Sequence, residues 1–197
     1  SISVADQSNQ AAIDLLQAKA TNVTRLNPTA NLSFSHKLTK LYFTFTSTSG
    51  VNLDKVTATI GNQHININYN VLQDAISLKE GDATQDITLR KGDSYLEAIV
   101  IPNTVDGNAA ANRTLTFTIG GEEYKATLSS ATSFEAGKKY MYNVEFSQTG
   151  VTLTGAGITP WTEVSSNETV VISGGIKDVY LFGNPTNWDH RDKLTAK

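Results

Sequence analysis

The chain has 197 residues, 18% of them charged, with a net charge of −3 and no cysteine. That length supports one full domain and part of another, and such a chain buries roughly 70% of its unfolded surface without a covalent staple. The charge gives no basic footprint for nucleic acid, and the lack of cysteine excludes a disulfide framework and any cysteine-based zinc site.

Residues 1–20 have neither the basic start nor the apolar run of a signal peptide. The opening Ser1-Ile2-Ser3-Val4 reads as the middle of a longer precursor. Helix signal is confined to Gln10–Ala18, where Ala11, Ala12, Leu15, Leu16 and Ala18 suit two turns behind Ser8 as a cap. Helices that short are marginal alone, so an extended conformation fits equally. Residues 1–28 are expected to close a truncated N-terminal β-domain, with Asn27-Pro28 as the junction.

A complete sandwich is expected over residues 29–163. Leu41-Tyr42-Phe43-Thr44-Phe45-Thr46 places a large apolar residue at every second position. Ile65–Val71 has one apolar face and one face of asparagines, and the same period recurs in Leu115–Ile119, Tyr124–Leu128 and Tyr140–Phe146. A two-residue period puts alternate side chains on opposite faces of a strand, one dry and one wet, as in antiparallel sandwiches. Ser94–Ile101 alternates less and reads as a central strand stopped by Pro102. Ile60-Gly61-Asn62-Gln63 and Ile119-Gly120-Gly121-Glu122 read as tight hairpins, because glycine and asparagine tolerate positive φ. Lys79–Asp82 and Lys91–Asp93 read as polar turns, and Asn103–Asn112 as a longer loop. Residues 164–197 form a tail with two strand-like runs, Thr169–Ile172 and Val179–Phe182, joined through Ser173-Gly174-Gly175.

Reactive chemistry is sparse. His36, His64 and His190 are not spaced as a metal pair. His64 falls on the asparagine face and reads as solvated, while His36 beside Phe34 reads as a satisfied structural histidine. No serine sits in a nucleophile elbow. Asp82, Asp86, Asp93, Asp106, Glu122 and Glu123 read as turn formers and solvated charges rather than a glycosidase pair. Asp106-Gly107-Asn108 lacks the acidic density of a calcium loop. Thr154-Gly155-Ala156-Gly157-Ile158 lacks a phosphate-loop ending and reads as a bend that ends a strand. Four Asn-x-Ser/Thr sequons read as chance in a chain rich in those residues. Trp161 reads as a plug at the end of the sandwich, whereas Trp188 is a candidate for stacking on a sugar ring. No catalytic residue, metal ligand or cofactor site is assigned.

Four segments together resemble the Bacteroidales fimbrillin-like (Mfa-like) family. Asp14-Leu15-Leu16-Gln17-Ala18 is similar to the Asp-Leu-Leu-x-Ala segment before its C-terminal domain. Phe34-Ser35-His36-Lys37-Leu38-Thr39-Lys40 is similar to the Phe-x-His-x-Leu-x-Lys strand that opens that domain. Phe134-Glu135-Ala136-Gly137-Lys138-Lys139-Tyr140-Met141-Tyr142-Asn143-Val144 resembles its Phe-x-Ala-Gly-Lys-x-Tyr-x-Tyr-x-Val signature, and Ile158-Thr159-Pro160-Trp161 follows. The resemblance implies an all-β, transthyretin-like Greek-key antiparallel β-sandwich. It also implies export through a lipoprotein precursor and a non-catalytic role as stalk, anchor or tip of a fimbria at the bacterial cell surface or outer membrane. The partners so implied are other fimbrial subunits, with a host-surface protein or glycan beyond them. Residues 1–28 are expected to be only the last part of the family's N-terminal domain, without its lipid-bearing cysteine, and the tail after Trp161 is longer than in many members.

Assembly by β-strand addition suits such a tail, because an extended segment with alternate apolar residues completes an open sheet edge. Val170 and Ile172 share one face of the first run, and Val179 and Leu181 share one face of the second. These four are the candidate strand-exchange residues, pairing within the chain or with a neighbour. The alternative is a carbohydrate-binding surface module built around Trp188, because Val179-Tyr180-Leu181-Phe182-Gly183 with Asn187-Trp188 is faintly similar to starch-binding modules. An enzyme acting on glycosides has only scattered carboxylates behind it.

Overall fold

A computed structural model describes residues 1–20, 23–26, 29–30, 32–47, 52–147, 150–161, 164–165, 170–171 and 179–181. The strands in chain order are β1 (Ile2–Ser3), β2 (Leu16–Ala20), β3 (Thr29–Ala30), β4 (Ser33–His36), β5 (Thr39–Ser47) and β6 (Thr57–Gln63). There follow β7 (Asn66–Asn70), β8 (Ala75–Leu78), β9 (Gln85–Thr88), β10 (Arg90–Lys91), β11 (Tyr95–Val100) and β12 (Arg113–Ile119). The last are β13 (Glu122–Leu128), β14 (Lys138–Ser147), β15 (Gly150–Pro160), β16 (Val164–Ser165), β17 (Val170–Val171) and β18 (Val179–Leu181). Two compact units result. Unit 1 is Ser1–Ile13 with Leu38–Trp161, and unit 2 is Asp14–Lys37 with Thr162–Lys197. These units cut across the expected spans 1–28, 29–163 and 164–197.

Unit 1 is an all-β sandwich. One sheet has the order β10-β11-β5-β14-β15, and the other β13-β12-β6-β9. The alternation read in the sequence is the alternation of burial. Leu41 and Phe43 of β5 are fully buried, as are Leu115 and Phe117 of β12, while the residues between them face outward. The sheets meet through these apolar faces: the Phe117 and Phe146 rings pack edge to face at 5.4 Å. Each such ring contributes about 1.5–3 kcal/mol by burial alone. One pairing departs from the antiparallel expectation. β5 and β14 run parallel, with Leu41 opposite Tyr140 and Phe45 opposite Val144. Parallel neighbours need a long crossover, and the strands from β6 to β13 supply it. β1, β7 and β8 form a third, small sheet in the same unit.

Three local expectations give way to tertiary pairing. The helix is only α1 (Gln10–Ile13), capped by Asn9 rather than Ser8, since Asn9 Oδ1 accepts from Ala12 N–H at 3.3 Å. Leu16–Ala20, expected to continue it or extend, is strand β2, because three successive residues there are buried and paired. Ile60–Gln63 is not a hairpin. β6 runs through it, and Gly61 and Asn62 oppose the single residue Asp86 of β9 between the pairs Ile60↔Ile87 and Gln63↔Gln85. Two residues against one is a β-bulge, and Asn62 takes a positive φ of 56° within it. Likewise Gly155–Gly157 does not end a strand. It is a bulge inside β15, opposite Met141 and Tyr142 of β14. The Ile119–Glu122 hairpin forms as expected, with Gly120 and Gly121 both at positive φ.

A sheet edge in unit 1 is closed by a side chain. β10 reaches only to the position opposite Glu97, which leaves Ile99 of β11 beyond it. The buried Gln7 carboxamide takes the place of a peptide group there. Its Nε2 donates to Ile99 O at 2.9 Å, and its Oε1 accepts from Ile99 N–H at 2.8 Å.

Candidate functional site

Unit 2 joins two distant stretches of sequence by backbone pairing. Its four-stranded sheet has the order β16-β4-β2-β18, and β17 pairs with β3. Residues 14–37 supply the inner strands, and the tail supplies the outer ones. Val179 lies opposite Ala20 and Leu181 opposite Ala18. Val170 lies opposite Ala30. Ile172, the fourth candidate exchange residue, and Trp188, the candidate sugar-stacking residue, lie outside the described residues. The buried cluster under these strands is Leu16, Ala18, Ala20, Val23, Ala30, Leu32 and Phe34. Leu16, Leu32 and Phe34 are its large members, and three of the seven are alanine.

The four motif segments turn out to be held together by their own chemistry. His36 Nδ1 lies 2.9 Å from Asp14 Oδ1, a pair that ties the Asp-Leu-Leu segment to the Phe-x-His strand. His36 is thus the satisfied structural histidine expected. Gly137, at φ 68°, donates its N–H to Leu38 O at 2.9 Å and accepts from Trp161 N–H at 2.8 Å. Only a residue without a Cβ takes that left-handed conformation at little cost. Tyr140 OH donates to Ser133 O at 2.7 Å and accepts from Glu135 N–H at 2.9 Å, while its ring packs on Phe134 at 5.0 Å. Burial first, with the Glu135 charge beside it, raises the Tyr140 hydroxyl above its ordinary range and outweighs the Glu135 N–H, which lowers it. Trp161 is half-buried rather than a sealed plug, and Lys40 Nζ sits 5.6 Å from its ring centre.

His64 is not free in solvent as expected. Its Nδ1 is 3.0 Å from Asp82 Oδ2. Asp82 also accepts from Ile65 N–H at 3.1 Å and from Asn66 Nδ2 at 2.7 Å, and its side chain is 1% exposed. Burial alone would raise this carboxyl, but the Asn66, His64 and Ile65 donors outweigh it and hold it below the usual carboxylate range. The turn acid of the sequence reading is therefore a structural hub. Asn108 serves similarly, its Nδ2 donating to Ile101 O at 2.9 Å and Pro102 O at 3.0 Å.

Sequence reasoning missed two buried charges. Glu97 sits on β11 between Arg90 at 2.5 Å and Lys40 at 2.8 Å. Arg113 occupies an inward position at the start of β12, its guanidinium 5.3 Å from the Phe134 ring centre, and burial lowers its pKa. The neighbouring Tyr142 is pushed up to about 12, first by burial. The signal for Glu97 was present in the register, where it alternates with Tyr95 and Ile99 on one face, but its cationic partners come from other strands. Among the described residues no group of three or more His, Asp or Glu gathers as a metal site.

Comparison with known proteins agrees with this architecture. A Bacteroides uniformis protein assigned to the fimbrium as subunit Fim1C is 30% identical over 172 residues, covering 82% of this chain and 55% of the relative. This chain therefore spans about half the length of that relative. A crystal structure of a Bacteroides uniformis protein assigned to cell adhesion shares the fold with a TM-score of 0.57 and 24% identity, over 76% of this chain and 66% of that one. A Bacteroides ovatus protein of like assignment has a TM-score of 0.54 and 24% identity, over 66% of this chain and 48% of that one. A family model described as Fimbrillin-like matches residues 1–161, which takes in all four motif segments and the whole sandwich, and the chain belongs to that family.

Proposed function

We infer that the chain is part of a structural or adhesive subunit of a bacterial cell-surface fimbria, joined to neighbouring subunits by β-strand addition. The role is mechanical rather than catalytic, and the partners are other subunits of the same fibre, with a host-surface protein or glycan beyond them. The family and the fimbrial assignment of the Bacteroides uniformis relative support the setting. The observation that supports strand addition is the attachment of the tail. β17 and β18 contribute two and three residues to their sheets, and each is joined to the first part of the chain by backbone pairing at one edge. A main-chain ladder has no preference for its own chain, so a neighbour's tail meets the same partners in the same register. The few residues that pair in β17 and β18 limit the main-chain bonds broken on release, which keeps the exchange cost small.

The test uses the absence of native cysteine. Chains carrying Ala20→Cys are mixed with chains carrying Val179→Cys under oxidising conditions. Directly opposed strand residues lie close enough for a disulfide after small adjustment. Concentration-dependent covalent heterodimers are expected, and none when the second chain carries its cysteine at the exposed Lys125 of β13 instead of at Val179. Closure only within single chains of the double variant, with no heterodimer in the mixture at any concentration, overturns the exchange.

A further inference from the structure

The outward face of the five-stranded sheet in unit 1 carries an ordered array that the fimbrial reading does not use. Residues directly opposite in register share a face. Arg90 faces Glu97, Glu97 faces Tyr42, and Lys40 faces Lys139. The Tyr42 and Tyr95 rings stack at 4.8 Å with planes 26° apart. Lys139 Nζ lies 4.0 Å from the Tyr42 ring centre, and Lys40 Nζ lies 5.6 Å from that of Trp161. All three aromatic rings are half-buried, so each leaves part of its surface to solvent.

The array is built rather than incidental. The Tyr95 ring lies across Gly92, where a Cβ would stand 2.2 Å from its Cζ. Glycine at that position is what lets the ring lie flat. Three cations stand against one carboxylate, and that carboxylate, Glu97, is buried and already bonded to Arg90 and Lys40. Glu145 is the next acid on this face, opposite Thr46, further along β14. The local charge is thus positive on a chain that is negative overall. By the spacing of neighbouring strands, Lys139 on β14 and Arg90 on β10 stand roughly 14 Å apart across the sheet.

We propose that this face binds an extended uronic-acid glycan, a sugar ring lying on Trp161 and its carboxylates meeting Lys139, Lys40 and Arg90, while the Tyr42–Tyr95 stack, its ring faces taken by each other, by Lys139 and by Gly92, holds the cations in place. Aromatic rings with polar tips offer apolar area to the C–H faces of pyranose rings while keeping a hydrogen-bonding end. Lysine and arginine form charge-assisted bonds with carboxylates, about twice as strong as neutral ones. An acidic peptide is the poorer fit, because an extended peptide gains its affinity from main-chain bonds at a strand edge, and this is a sheet face with its backbone paired. The proposal stands apart from strand exchange, since it involves only unit 1 and a single copy of the chain.

The experiment is calorimetric titration of the intact chain with polygalacturonate oligomers, with dextran of equal length and with oligothymidylate of equal charge. Saturable binding of polygalacturonate is expected, with none of dextran. Lys139→Gln is expected to weaken it about tenfold, as loss of one charge-assisted bond implies. Trp161→Ala is expected to weaken it as well, with both variants melting as the parent does. Lys125→Gln removes an equal charge from β13, on the other sheet, and is expected to leave binding unchanged. Absence of saturable binding overturns the proposal. So does equal binding of oligothymidylate, which would mark a single-strand nucleic-acid platform, or an equal loss from Lys125→Gln.

Discussion

The sandwich of unit 1 and the small sheet of unit 2 use the same two-residue period with very different lengths of chain. β14 and β15 run ten and eleven residues, whereas the longest strand among the described residues of unit 2, β2, has five. The sandwich buries Phe43, Phe117, Phe134 and Phe146 completely or nearly so, while the described cluster of unit 2 mixes Leu16, Leu32 and Phe34 with three alanines. Long strands with large inward residues fix their own register, because a one-residue slip exposes the whole apolar set. Shorter strands carry less of that penalty, so a larger share of their pairing rests on main-chain bonds. The comparison is the physical ground for proposing strand exchange in unit 2 and a binding face in unit 1.

The largest expected effect sharpens the contrast from the sandwich side. Phe117→Ala is expected to cost about 3–5 kcal/mol in denaturant unfolding, because it removes a fully buried ring packed edge-on to Phe146. A loss below about 1 kcal/mol would mean that the two sheets do not share a packed core. A smaller effect tests whether a side chain can stand in for a strand. Gln7→Ala leaves the Ile99 N–H and C=O without their partner, and about 1–3 kcal/mol is expected. Hydrogen exchange at Ile99 should rise selectively, and unchanged protection there would show that the edge is closed by something else.

The smallest effect is confined to acid. The Asp82 carboxyl has a folded-state pKa below its unfolded value of about 3.9. Its contribution is therefore present above that value and is lost as pH falls through the lower, folded one. Asp82→Asn is expected to flatten this part of the stability profile below about pH 4. A variant profile parallel to the parent's there would remove Asp82 as the hub of the β7 entry.

Most strands of unit 1 were legible because alternation of large apolar residues with threonine and asparagine is a direct record of one dry face. The signals that misled were those with two uses. Gly61-Asn62 and Gly155–Gly157 permit positive φ, which serves a bulge as well as a turn, and only the partner strand selects between them. Gln10 to Ala18 suits helix or strand, and the backbone pairing of Leu16 with β4 and of Ala18 with β18 selected the strand for its second half. The charged centres were the least legible. Glu97 meets Arg90 at seven residues' distance but Lys40 only through the β5–β11 ladder, and Asp82 meets His64 across eighteen residues of chain.

The sequence by itself determined that this protein is built of strands with one apolar face each, and through four motif segments it determined the family. A two-residue period and a fixed motif are local properties, written wherever the residues stand. The tertiary structure alone decided that β5 and β14 run parallel, that the tail pairs with strands between residues 18 and 34, and that Tyr42, Tyr95, Trp161 and three cations gather on one face. Those outcomes depend on which strands become neighbours, and neighbours are chosen by the burial of the whole core rather than by any one segment.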